Sequence, residues 1–155
     1  MDWQRLFVTF FYSGLSPKAP GTVGTVAGMA VGIVLLLLLP KSTLFTATIA
    51  LSIIAILEIN KYEAKTGTHD DKSIVIDEVA GIWLVMVMIP FDWVSLLLGF
   101  VFFRLYDITK PSVIGRVDRK LKGGMGVMLD DILAGFFAGI TVLILQGLYT
   151  KFAGA

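Results

Sequence analysis

Five apolar runs, none carrying a charge, decide what this chain can fold into: residues 23–40, 44–57, 79–91, 93–103 and 132–149. A helix in a soluble domain shows one face to the core and one to water, so polar residues interrupt its apolar ones every few positions. Here 56% of the 155 residues are hydrophobic, 16% are charged and the mean hydropathy is +0.84, so most of the chain has no polar face to offer water. In hydrocarbon, backbone groups must be satisfied within the segment itself. The expected class is therefore all-α: a multi-pass helical membrane protein with about four to five spanning or re-entrant helices, forming a single domain over residues 1–155.

The first and last runs approach the roughly 20 residues that cross a bilayer. The second reaches that length if its helix continues to Gly67, a C-terminal glycine with Lys61 and Lys65 in the preceding turns. The beginning of the chain lacks a cleavable-signal layout, and residues 150–155 read as a tail. With no cysteine there is no disulfide, thiol nucleophile or thiolate metal site, and a net charge of +1 predicts no nucleic-acid binding.

Residues 79–103 read either as one long span or as a hairpin broken at Ile89-Pro90-Phe91-Asp92-Trp93. Pro90 disfavours a helical Ile89, and Asp92-Trp93 looks like an interfacial turn with an aromatic anchor. Charge favours the hairpin. With it, the N-terminus, 60–78 and 104–131 share one side holding 11 of the 13 basic residues, with only Lys41 and Lys151 opposite. A single span would divide them 6 against 7. The positive-inside rule then makes all three polar stretches cytoplasmic.

Those stretches carry the chemistry. In the first, Pro17, Pro20 and Gly21 break regular structure before Thr22, Gly24 and Thr25 open the first spanning helix. Free N–H groups and the helix dipole suit such a turn to an anion; a plain cap with glycines for packing is the simpler reading. In the second, Asp77 and Glu78 open a helix, with His69, Asp70 and Asp71 upstream. In the third, Arg104, Asp107 and Lys110 recur at three-residue steps before Pro111. Residues 112–122 then form a basic amphipathic segment with Arg116, Arg119, Lys120 and Lys122 around an apolar stripe, ended by Gly123-Gly124. Asp130 and Asp131 stand at the head of the last apolar run.

Five acids (Asp77, Glu78, Asp107, Asp130 and Asp131) thus share one face with Arg104 and Lys110. Acids crowded at a low-dielectric surface repel one another unless a cation lies between them, and an all-oxygen set suits Mg²⁺. Metal-activated attack of water on a phosphate fits this inventory. A small membrane transporter, or a cation-binding protein using the same carboxylates, is the competing reading; it would place acids mid-span. A phospholipid-modifying transferase is disfavoured, since its Asp-Gly-x-x-Ala-Arg signature is missing.

In order along residues 13–135, the stretches SGLSPKAPGTVGT, HDDKSIVIDEVAGIW and FRLYDITKP…GGMGVMLDDILAG resemble the phosphatidylglycerophosphatase A family. These are Mg²⁺-dependent bacterial membrane enzymes that remove the terminal phosphate of phosphatidylglycerophosphate. The family's motifs fall on Pro20, Gly21, Thr22 and Gly24; on Asp77 and Glu78; on Arg104, Asp107, Lys110 and Pro111; and on Gly123, Gly124, Gly126, Asp130 and Asp131. His69 and Asp70 match only some relatives, and Ser112-Val113 stands where a second proline often follows Pro111. The resemblance implies a phospholipid substrate, an inner-membrane location with the site facing the cytoplasm, and Mg²⁺ held by the five acids. Arg104, Lys110, Arg116 and the Thr22–Thr25 turn would bind the substrate's phosphates. Oligomeric state is left open.

Overall fold

The computed structural model describes residues 2–68 and 71–153, the side chains of residues 112 and 117–119 excepted, and among the described residues every regular element is a helix. A short α1 (Trp3–Val8) and a 3-10 turn (Ser13–Leu15) precede α2 (Pro20–Leu38) and α3 (Lys41–Thr66). Then come α4 (Ile76–Met88), α5 (Trp93–Thr109), the amphipathic α6 (Ser112–Lys120) and the long α7 (Gly123–Ala153).

Three helices, α2, α3 and α7, are long and apolar enough to cross a bilayer. Residues 79–103 are a hairpin, not one span. Pro90 holds Ile89 extended (ψ 160°), and Asp92 caps α5 by accepting from the Ser95 N–H at 2.9 Å. At 1.5 Å per residue the 13 residues of α4 and 17 of α5 reach about 20 and 25 Å, short of a hydrocarbon core about 30 Å thick. Gly67 ends α3 as expected, left-handed at φ 70° with its N–H donating to Glu63 O at 2.8 Å.

The short α4 sits at the centre, packed on α2, α3, α5 and α7, with nine of its 13 residues buried. Lipid is as apolar as leucine, so close backbone approach and buried polar contacts must hold these helices together. Gly24 and Gly28 supply the approach on α2: a Cβ on Gly24 would lie 2.5 Å from Val75 Cβ, and one on Gly28 would lie 2.9 Å from Val79 Cγ2. The indole N–H of Trp83 donates to Gly28 O at 2.7 Å, and the Tyr106 and Thr141 hydroxyls meet at 2.8 Å between α5 and α7. Outward, Val34, Ile53, Leu97 and Ile144 are all at least half exposed, a surface that belongs against lipid.

Two local expectations are corrected. Residues 150–153 are the last turn of α7, where the Thr150 hydroxyl donates to Gln146 O at 3.0 Å; residues 154–155 lie outside the described chain. Gly123-Gly124 begins α7 instead of ending α6, because Gly123 is left-handed (φ 71°) and the Gly124 N–H donates to Asn60 Oδ1 at 2.8 Å on α3. Asp130 and Asp131 therefore lie in the third turn of α7, about 10 Å along its axis, still at the head of the apolar run that begins at Ile132. Lys110 ends α5 ahead of Pro111 as expected, in a left-handed conformation (φ 43°).

Candidate active site

One end of the bundle gathers the N-termini of α2 and α4, the C-terminus of α5 and the third turn of α7 around a cavity of about 680 Å³. Its walls include Gly21, Asp77, Glu78, Arg104, Asp107, Lys110, Asp130 and Asp131. All five acids named from the sequence are brought together there, with both strong bases. The acids lie at this one end of the short helices, not midway along them.

Each side chain is aimed by its element. Asp77 and Glu78 occupy the first turn of α4, which the packing of Val75 on Gly24 sets against α2. Arg104 and Asp107, three residues apart on α5, form an ion pair with each other. Arg104 also lies 3.8 Å from Glu78 Oε1 and donates to the Thr25 hydroxyl at 3.4 Å, while that hydroxyl donates back to Gly21 O at 2.7 Å. The left-handed Lys110 reaches across to Asp130 Oδ2 at 2.6 Å. Gly21 makes room for this arrangement. A Cβ there would collide with Glu78 Oε1 and stand 3.1 Å from the Arg104 guanidinium.

The carboxylates divide into two kinds. Asp107 and Asp130 are each paired with a cation. Asp77, Glu78 and Asp131 offer one oxygen apiece within 4.8 Å of one another. In these three residues Asp77 Oδ1, Glu78 Oε2 and Asp131 Oδ2 are buried without a hydrogen-bond partner. Buried carboxylate oxygens left unpaired are costly, and three carboxylates that bring an oxygen each this close offer the donor set that a hard cation takes.

Other sequence-named positions fall elsewhere. Gly24 is buried against Val75, Thr22 is half-buried outside the cavity wall, and Arg116 is exposed on α6. His69 and Asp70 lie outside the described residues. Asp71 and Lys72, next along, do line the cavity, and so do Ala19 and Pro20. Asn60 was not singled out from the sequence. Nothing local in the sequence signals it, since its partner is a glycine pair far along the chain.

A family model described as phosphatidylglycerophosphatase A matches residues 6–146. The chain is 39% identical over 143 residues to phosphatidylglycerophosphatase A of Haemophilus influenzae, covering 92% of this chain and 88% of that one. It is 41% identical over 145 residues to phosphatidylglycerophosphatase A of Escherichia coli, covering 92% and 83%. It is also 36% identical over 147 residues, covering 90% and 91%, to a Bacteroides thetaiotaomicron protein provisionally named a phosphatidylinositol-3-phosphatase. No solved structure matches the chain.

Proposed function

The chain belongs to the phosphatidylglycerophosphatase A family, and from that premise we propose how its residues remove the terminal phosphate monoester of phosphatidylglycerophosphate, leaving phosphatidylglycerol and phosphate. The observation that carries the reading is the trio of unpartnered buried oxygens on Asp77, Glu78 and Asp131 beside the Arg104 and Lys110 cations. The three acids, joined by Asp107 and Asp130, would hold Mg²⁺, and the ion would supply an activated water and neutralise charge on the phosphoryl oxygens. Arg104 and Lys110 bind phosphate oxygens, and Asp107 and Asp130 orient those two bases. N–H groups in the first turn of α2, around Gly21 and Thr22, add donors to the anion, with Thr25 steadying the guanidinium. Arg116, on the exposed face of α6, meets the anionic headgroup layer. Such a charge-dense site answers to its task, since phosphate monoesters are among the slowest hydrolyses known.

The site belongs at the membrane edge because a lipid phosphate lies there and the substrate does not leave the bilayer. Residues 1–155 act as one domain in the bacterial inner membrane. The 11-to-2 division of basic residues supports a site on the cytoplasmic side. The deciding experiment is phosphate release by the purified protein from phosphatidylglycerophosphate and from glycerol phosphate, with chelator and then with Mg²⁺ restored. The expected result is release from the lipid only, abolished by chelator. Equal kcat/KM on the soluble ester overturns the interfacial reading, and full activity in chelator overturns the metal. Orientation is read separately. Single cysteines at Asp92 and Lys120, in a chain otherwise free of cysteine, should label from outside at the first and not at the second.

A further inference from the structure

Resting on that reading, we infer that Asn60 of α3 is a positioning residue for the metal-binding acids. Its amide oxygen fixes the start of α7, and with it the angle at which Asp131 meets Asp77 and Glu78. Glycine makes the junction close. A Cβ on Gly124 would lie 2.4 Å from Ile56 O, and one on Gly126 would lie 2.2 Å from Leu121 O. The first turn of α7 therefore packs on the backbone of α3 and on the chain leading out of α6. Gly124 is buried, and its N–H is one of the helix-start donors that α7 itself cannot satisfy. Asn60 Oδ1 accepts from it at 2.8 Å, across 64 residues of sequence, where a helix commonly uses a cap of its own.

Helix geometry carries this junction to the site. Asp131 follows Gly124 by about two turns, so the two share a face about 10 Å apart. Met128 between them, and Gly135 and Ala138 beyond, complete one buried stripe along α7. The stripe is held again on the far side of the acid. A Cβ on Gly135 would lie 2.5 Å from Gly81 O, and one on Gly81 would lie 2.8 Å from Asp131 O. Asp131 is thus placed between two backbone contacts, one to α3 and one to α4. Turning α7 at the α3 contact turns Asp131 with it, away from the oxygens of Asp77 and Glu78. A constellation of this kind works only within about 0.5 Å and 10–20° of its productive geometry, so the bond that fixes the helix start bears on metal affinity.

Three variants separate this bond from general packing. Asn60→Leu keeps the volume and loses the acceptor, whereas Asn60→Asp keeps the acceptor. Thr48→Val, about 18 Å back along α3, removes a buried hydroxyl that donates to Leu44 O and serves as the control. Binding of Mn²⁺ to each purified protein is followed by the electron paramagnetic resonance of the free ion, with no substrate present. Asn60→Leu should raise Kd at least threefold, while Asn60→Asp and Thr48→Val stay within twofold of wild type. In phosphate-release assays the Mg²⁺ concentration for half-maximal rate should rise in parallel, with KM for the lipid within twofold. Unchanged affinity in Asn60→Leu, or an equal loss in Asn60→Asp or Thr48→Val, overturns the positioning role. If the wild-type protein binds no Mn²⁺, the metal reading fails and hydrogen exchange judges Asn60 separately. Amides of residues 127–131 should then exchange at least tenfold faster in Asn60→Leu than in wild type or Thr48→Val, and equal rates overturn the role.

Discussion

The central hairpin has two helices that both begin with acids, and the acids differ in every physical respect. Asp92 starts α5 at the far end. It accepts from the Ser95 N–H at 2.9 Å and from the Ser95 hydroxyl, is exposed, and is held below the usual carboxylate range by those bonds. Asp77 and Glu78 start α4 at the near end. They are buried or nearly so, crowded by Asp131, and each keeps an oxygen with no partner. One acid is a finished cap. The other two have helix-start positions without making side-chain caps, and their oxygens turn toward α7 and the cavity. Position at a helix start is thus a poor guide to an acid's role; satisfaction of its oxygens is the better one.

Breaking the near end should cost far more than breaking the far end. The largest effect is expected from Asp131→Asn or Asp77→Asn, each lowering kcat by at least about 10²-fold, the scale of losing one strong transition-state charge contact. Phosphate-release kinetics at saturating Mg²⁺ check this, and near-normal turnover removes that residue from the site. Next comes Gly21→Ala, whose methyl would push on Glu78 and Arg104. A displacement of about 1 Å there should cost roughly 10–10²-fold in kcat/KM, with a melting curve showing the protein still folded. Arg104→Lys keeps the charge but loses the planar fork that meets Asp107, Glu78 and Thr25, and about a tenfold fall in kcat/KM is expected, dominated by KM. Smallest is Asp92→Ala, which should leave kcat unchanged and lower Tm slightly. Because its carboxylate is depressed, the stabilisation it gives is present above a pH of about 4 and fades as the pH falls through its folded value. Melting curves of wild type and variant should therefore converge below that pH. A large catalytic loss at Asp92 would erase the contrast between the two ends.

Much of the fold was legible because hydrocarbon imposes a simple rule: long charge-free runs must be helices. Pro90 and Gly67 marked helix ends that backbone sterics made hard to place elsewhere, and the distribution of lysine and arginine favoured the hairpin over a single span. The same residues misled where a glycine pair could end one helix or begin the next. Asn60, from α3, supplies the bond that makes Gly123-Gly124 the start of α7, and no local pattern contains it. The inventory of the candidate site was equally readable, since five acids and two bases in a membrane protein are too costly to be incidental. The division among those acids was not. Asp107 and Asp130 find cations because α5 ends in a left-handed Lys110 and Arg104 turns back toward its own helix; Asp77, Glu78 and Asp131 converge because α4 and α7 cross with little side chain between them. Composition and hydropathy determined that this chain is a helical membrane protein with an acid-rich face. Helix crossing and the direction of single side chains decided which oxygens stay unpaired, because those depend on angstrom-scale distances between segments up to 54 residues apart in the sequence.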